Sequence, residues 1–222
     1  RRGLLPNIYG RTVADSHYGS CDAALWFALA VRRYVDAGGR DELVRERLLP
    51  ALRQIAEAYL AGTDLGLRAS AEGLLLAGSK DLNATWMDAR TAQGPVTPRQ
   101  GQPVEIQALW YGLLALLVEL GEATFASPRD RCGAAFVQRF WLADRGHLAD
   151  PVEQGRPDPP VPPNMVLAAA LPDSPLSPTQ RAAVVRIAQA ELLTPRGLRT
   201  LSPRDPDYRG RYEGGSDARD LA

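Results

Sequence analysis

The chain has 222 residues, of which 45% are hydrophobic, and its Lys plus Arg and Asp plus Glu counts are equal at 26 each. This length and composition are typical of a folded globular chain and argue against disorder of the whole sequence. A formal net charge of zero gives no field that would attract nucleic acid or an anionic membrane, so neither is expected as a partner. The surface permits a neutral polyol ligand, as do the surfaces of many enzymes.

The two cysteines, Cys21 and Cys132, lie far apart, and neither belongs to a metal-binding motif. We therefore predict no metal site and no cofactor, and we interpret both as small buried thiols in a reducing compartment, with a single disulfide as the alternative. The sequence contains no signal peptide and no apolar run long enough to span a membrane. These observations predict a cytoplasmic location.

Hydrophobic periodicity in the first half predicts three helices. The first covers Asp22 to Ala37, and the second runs from an N-cap at Asp41 to Gly62. Between Leu67 and Asp88 the helical period weakens around a Leu-Leu-Leu run flanked by glycines, which indicates an extended hairpin leading into a site-forming loop. The segment from Glu105 to Glu122 is apolar on almost every side, which predicts a helix buried among others.

In the second half, helices alternate with long loops. A Ser-Pro pair at the start of residues 127–142 and of residues 177–193 predicts a capped helix in each range. Six prolines exclude a helix over residues 150–163 and predict a long surface or site-forming loop, which a short apolar run at residues 165–171 follows. Residues 200–220 are charged, rich in glycine and aromatic, without helical period.

Paired helices joined by tight turns on one side and by long loops on the other favour an all-α fold of the α/α toroid type. The alternative is a generic helical bundle, because the number of helices does not distinguish the two folds. At about 30 residues for a helix with its loop, the chain holds roughly seven helices, fewer than a closed toroid needs. If the fold is a toroid, this count predicts an incomplete one, with an extended hairpin and long loops on its active-site face.

Acids beside aromatic rings indicate the candidate site. Asp88 follows Trp86 and Met87 in a loop-like segment, and Glu105 opens the long apolar helix. Indole rings stack on sugars and carboxylates bind hydroxyls or move protons, so the pattern predicts a carbohydrate site with Asp88 as its catalytic acid. The alternatives are a cap or turn acid for Asp88, a first-turn acid favoured by the helix dipole for Glu105, and core residues for Trp86 and Trp110.

The tail from Tyr208 to Gly215 reads YRGRYEGG, in which tyrosines and arginines alternate through glycine. Such a segment cannot belong to a core. A nucleic-acid-binding RG segment is the alternative, and the nearby acids Asp205, Asp207 and Glu213 argue against it.

Six strings resemble, in order over nearly the whole chain, the glucosidase domain of glycogen debranching enzymes, the amylo-α-1,6-glucosidases. They are CDAALWF (21–27), TWMDA (85–89), VTPRQGQPVEIQALWY (96–111), LSPTQRAAVV (176–185), ELLTPRGLRTLSPRDPDYRGRYEGG (191–215) and ARD (218–220). Several are long enough to be specific, so residues 1–222 are identified as part of an amylo-α-1,6-glucosidase catalytic domain.

The resemblance implies an (α/α)6 toroid of the six-hairpin glycosidase type that removes α-1,6-linked glucose from the limit dextrin of glycogen with inversion. Asp88, in the TWMD motif, resembles the general acid. Asp22 and Glu105 resemble acids that bind substrate hydroxyls, and Trp26 is expected near the pocket wall. The substrate-binding residues expected from the motifs and the resemblance are Asp22, Trp26, Trp86, Glu105, Trp110, Arg209, Arg211 and Glu213.

In relatives, the segment that matches Arg219-Asp220 continues into further helices and an acidic loop that supplies the general base. We therefore expect N- and C-terminal parts of the same polypeptide to be missing here, and the chain by itself to be inactive. The expected partner is glycogen or limit dextrin. The alternatives are an inactive glucan-binding remnant and a toroid glycosidase acting on another α-glucoside such as trehalose.

Overall fold

The computed structural model describes residues 2–77, 85–92, 94–97, 99–150, 152–153, 156–157, 161–206 and 208–220. The described chain is mainly helical. Its helices are α1 (Ala23–Asp36), α2 (Asp41–Leu43), α3 (Leu49–Ala61), α4 (Val104–Glu119), α5 (Ala126–Phe140), α6 (Asn164–Ala170), α7 (Pro178–Glu191) and α8 (Ser216–Asp220). A π-helical segment, Val44–Leu48, joins α2 to α3, and a 3-10 turn, Ala123–Phe125, leads into α5.

Short antiparallel hairpins lie in the connections between the helices. They are β1–β2 (Arg68–Ala69 with Leu75–Leu76), β3–β4 (Arg90–Thr91 with Gly94–Pro95), β5–β6 (Trp141–Leu142 with His147–Leu148), β7–β8 (Val152–Glu153 with Arg156–Pro157) and β9–β10 (Leu193–Thr194 with Gly197–Leu198). Three of these hairpins follow α3, α5 and α7 closely. A unit of helix, helix and hairpin thus occurs repeatedly along the described chain.

Helix α4 lies at the centre of the described structure, with α1, α3, α5 and α6 packed against it. Eleven of its 16 residues are buried. This confirms the prediction of a helix enclosed by others, because a helix that is apolar on every side is stable only when its neighbours cover it. The helix begins at Val104, one residue before Glu105.

The helices α1, α4 and α6 run in the same direction. The guanidinium of Arg32 in α1 lies 3.0 Å from Asp36 and 3.5 Å from Asp173, and it also pairs with Glu119. Arg32 comes late in α1, Glu119 ends α4 and Asp173 follows α6, so this end of the molecule holds three helix C-termini. The N-termini of these helices therefore face the opposite end. Described residues of the segments that follow α3, α5 and α7 also lie there, namely Trp86, Asp150 and Arg199.

Two of the predicted helix starts are wrong. The N-cap of α2 is Arg40, and Asp41 lies inside the helix, where its carboxylate accepts a hydrogen bond of 2.7 Å from Arg45. Helix α5 begins at Ala126 because the 3-10 turn leads directly into it, so Ser127 lies within the helix. The cap predicted at Ser177 is confirmed, since its hydroxyl accepts from the backbone N–H of Gln180 in a capping box.

The loops agree with the sequence pattern in part. The predicted hairpin over residues 67–88 contains β1–β2, while its residues 78–84 lie outside the described residues. The described part of residues 150–163 is not helical, as expected from its prolines. The tail does contain a short helix, α8, which the absence of a helical period did not predict.

Both cysteines are buried and unbonded to each other. Burial raises the pKa of the Cys132 thiol to about 12, because the thiolate would lose its solvation. Both therefore act as small core residues, as interpreted from the sequence. None of the described helices is long and apolar enough to cross a membrane.

Candidate functional site

An open cleft of about 380 Å³ lies at the end of the molecule that holds the N-termini of α1, α4 and α6. Its volume falls within the roughly 300 to 1,000 Å³ of small-molecule sites. Two indoles and several aliphatic side chains form its walls, with a few polar groups between them. The residues that line it are Trp26, Trp86, Pro163, Asn164, Val166, Leu167, Leu198, Arg199 and Thr200.

Trp26 lines the cleft, and the carboxylate of Asp22 holds its indole. The carboxylate of Asp22 is buried just before α1, where it accepts hydrogen bonds from the Ser20 hydroxyl and, at 3.4 Å, from the indole N–H of Trp26. Residues four apart share one face of a helix, so this bond fixes the indole over the start of α1. The structure thus brings together two of the predicted substrate-binding residues.

Trp86 and Asp88 lie on the segment that leads into β3. Trp86 lines the cleft and leaves 48% of its surface exposed, and Asp88 is exposed two residues later. The Met87 sulfur between them accepts a hydrogen bond of 3.4 Å from the side-chain amide of Asn164 in α6. The predicted acid therefore sits on an exposed loop that this contact joins to the floor of the cleft.

Glu105 lies beneath the cleft rather than in its wall. Its carboxylate is fully buried and pairs with the guanidinium of Arg99, whose second nitrogen lies 2.6 Å from Asp150. Burial raises the pKa of Glu105 to about 7; the charge of Arg99 opposes this shift, and that of Asp150 adds to it. Burial lowers the pKa of Arg99, but the two carboxylates raise it by more, so the guanidinium stays charged.

Arg99, Asp150 and Asn164 were not predicted from the sequence. All three are buried, and they connect the loop before α4 to the loop after α5 and to the start of α6. The acidic residue at position 150 precedes a proline-rich loop, and Asn164 follows two prolines. Both contexts look like ordinary turns, so no local signal pointed to Asp150 or Asn164.

Trp110 is a core residue that anchors the β1–β2 hairpin. Its side chain is fully buried, its indole N–H donates to the Gly73 carbonyl at 3.0 Å, and its ring lies 6.0 Å from that of Tyr59. A ring enclosed in this way has no open face for a sugar. The core alternative considered for Trp110 therefore describes its position.

The tail residues Arg209, Arg211 and Glu213 are exposed and are not among the described residues that line the cleft. Arg199 and Thr200, in the segment after β10, instead form the polar edge of the cleft. The described part of the tail ends in α8, which packs against β3. The tail thus returns to the loop that carries Asp88.

The chain is similar to known proteins over most or all of its length. The family described as amylo-alpha-1,6-glucosidase matches residues 1–222. The glycogen debranching enzyme of Saccharomyces cerevisiae (strain ATCC 204508 / S288c) is 26% identical over 193 residues, which cover 68% of this chain and 13% of that enzyme. The chain thus spans a small part of that relative.

A similar fold occurs in a rhamnosidase from Klebsiella oxytoca solved with rhamnose bound. The TM-score is 0.60 at 16% identity, over 85% of this chain and 34% of that chain. At this identity, the similarity concerns the fold alone.

Proposed function

The chain belongs to the amylo-α-1,6-glucosidase family, and on that premise we propose that its cleft binds the terminal α-1,6-linked glucose of a glycogen limit dextrin and serves in the inverting hydrolysis of that linkage. Residues 1–222 would then be part of a catalytic domain of the (α/α)6 toroid type. The parallel course of α1, α4 and α6 supports this architecture, because the inner helices of such a toroid present their loops to the substrate at one end.

The observation that carries the proposal is the pair of indoles, Trp26 and Trp86, that face one open cleft beside polar groups. Sugar rings have apolar faces that stack on indoles and hydroxyls that need hydrogen-bond partners. We propose that Asp22 orients the sugar through the Trp26 ring, because its carboxylate accepts a hydrogen bond from the indole N–H. We assign Glu105 an indirect role through Arg99, because its carboxylate is buried below the cleft.

We assign the general acid to Asp88. Its carboxyl is exposed next to the cleft wall, on the loop that Trp86 and Met87 hold against α6. A glycosidic oxygen leaves as a poor alkoxide unless it receives a proton, and a carboxylic acid at the edge of the cleft supplies one. Inversion would further require a second carboxylate to activate water on the opposite face of the sugar.

The test replaces Asp88 by Asn in the intact protein and measures glucose release from two substrates. We expect the rate on limit dextrin to fall by at least ~100-fold, because general acid catalysis contributes about that much. The rate on α-glucosyl fluoride should fall much less, since fluoride leaves with little protonation. Asp144→Asn, at an exposed acid in the β5–β6 turn, is the matched control and should leave both rates unchanged.

Other outcomes would contradict the proposal in distinct ways. Equal losses on both substrates would move Asp88 from proton donor to binding residue. Turnover of trehalose in place of limit dextrin would assign another α-glucoside as substrate. Binding of glycogen without any release of glucose would identify a glucan-binding remnant.

A further inference from the structure

The carboxylate of Asp150 joins three separate segments beneath the cleft. One oxygen accepts the backbone N–H of Val104, at the start of α4, at 3.1 Å. The other accepts from the guanidinium of Arg99 at 2.6 Å and from the side-chain amide of Asn164 at 2.9 Å. Asp150 is only 4% exposed. Because its carboxylate is an acceptor alone, it fixes the direction of all three donors.

The contacts of the Asn164 side-chain amide permit only one of its two flip orientations. Its nitrogen donates both to Asp150 and, at 3.4 Å, to the sulfur of Met87. Neither of those groups can donate a hydrogen bond, so the flipped amide would place its oxygen against two acceptors. The charge of Asp150 thus keeps the N–H of Asn164 directed at Met87.

Met87 lies between Trp86, which lines the cleft, and Asp88. We propose that Asp150 is a positioning residue that acts through Asn164 and Met87 to hold the loop of Asp88 at the distance and angle that proton transfer requires. This inference rests on the proposed role of Asp88 as general acid. A proton donor displaced by about 1 Å can lose up to ~100-fold in rate, so even a weak N–H to sulfur contact has a measurable effect when it sets the position of the loop.

The first experiment compares Asp150→Asn with the wild-type intact protein on limit dextrin and on α-glucosyl fluoride. Asparagine offers one acceptor oxygen in place of two, so its side-chain NH2 faces at least one of the three donors, and no charge then fixes the direction of the Asn164 N–H. We expect the limit-dextrin rate to fall about tenfold, within the cost of a misplaced catalytic group, and the fluoride rate to change much less. A residue that only stabilises the fold would lower both rates in the same proportion.

A second pair of variants separates positioning from folding. The exchange Asp150→Asn with Asn164→Asp keeps one carboxylate and one amide in the buried cluster and reverses the hydrogen bond between them. We expect its thermal unfolding midpoint to return toward the wild-type value while the selective loss on limit dextrin remains, because residue 164 then has no N–H for Met87. Met87→Leu removes the acceptor without touching a buried charge and should show the same selective loss.

Ser174→Ala is the matched control, since Ser174 bonds to the Ala168 carbonyl near the far end of α6 and should affect neither rate. Equal losses on both substrates in Asp150→Asn, beside a selective loss in Asp88→Asn, would overturn this inference and leave the proposed function standing. Recovery of the limit-dextrin rate by the exchange variant would also overturn it. Equal losses in Asp88→Asn would overturn both proposals.

Discussion

Single side chains at the start of α4 show how burial changes chemistry. Glu105 shares the charge of one guanidinium, that of Arg99, with a second carboxylate, Asp150. Three buried groups with a net charge of −1 favour the uptake of one proton, and burial places that proton on Glu105, whose pKa is raised to about 7. The unfolded chain would release the same proton at about pH 4.3.

This shift predicts a pH dependence of stability. Because the folded pKa of Glu105 is raised, its contribution is fully present below the unfolded pKa and is lost as the pH rises through about 7. We expect wild-type stability to decline relative to Glu105→Gln between about pH 5 and pH 8, as measured by urea denaturation. Glu57→Gln, on the exposed surface of α3, controls for effects common to any such change. A constant difference between wild type and Glu105→Gln over this range would contradict the shift.

At the level of secondary structure, the stability of the β1–β2 hairpin depends on side chains of α4 rather than on its own two-residue pairing. The amide of Gln107 donates to the Leu75 carbonyl at 2.9 Å and accepts from the Leu75 N–H at 2.7 Å, and Trp110 bonds to the Gly73 carbonyl. An isolated two-stranded hairpin is marginal in water. These two side chains therefore hold the hairpin in place, because they form hydrogen bonds with buried backbone groups that water cannot reach.

Replacement of Gln107 by Leu should destabilise the protein. The substitution leaves the N–H and the C=O of Leu75 buried without this partner, at a cost of about 1–3 kcal/mol for each group. We expect a total loss of roughly 2 kcal/mol or more in the free energy of unfolding, measured by chemical denaturation. Gln189→Leu, at an exposed position of α7, should change it by less than about 0.5 kcal/mol. Equal effects of the two variants would show that Gln107 does not support the hairpin.

Over the whole described molecule, the ion pairs of Arg32 and the candidate site lie at opposite ends of α1, α4 and α6. Arg32 joins the C-terminal ends through Asp36, Glu119 and Asp173, while the cleft lies at the N-terminal ends. The helices are rigid elements that keep the Arg32 ion pairs apart from the cleft. Changes at the Arg32 end should therefore act on stability alone.

The expected outcome of Arg32→Met follows from this separation. The variant loses a partly buried ion-pair network, which we expect to cost about 1 kcal/mol of unfolding free energy. The kcat/KM on limit dextrin should remain at the wild-type value at temperatures where the protein is folded. Arg186→Met, exposed on α7, is the control for the loss of one positive charge. A reduced kcat/KM in folded Arg32→Met would show that the two ends are coupled.

What the sequence could predict depended on interactions between near neighbours. The periodicity of α1 and α4 and the capping box at Ser177 are local, so they were recognised without a structure. The motif that places Trp86 beside Asp88 was recognised for the same reason, and Trp86 does line the cleft. Helix starts were less predictable, since a preceding 3-10 turn removed the need for a cap at Ser127.

By itself, the sequence determined the helical class and the main helices, because these follow from residue types at fixed short spacings. It also determined the family, through strings that resemble the motifs of that family. Only the tertiary structure decided that Glu105 and Trp110 are buried, and that Asp150 and Asn164 belong with the Asp88 loop. The reason is distance along the chain. Asp150 meets Val104 across 46 residues and Asn164 meets Met87 across 77, so no local spacing records either contact. Burial likewise depends on which neighbouring elements cover a side chain, and packing alone settles that.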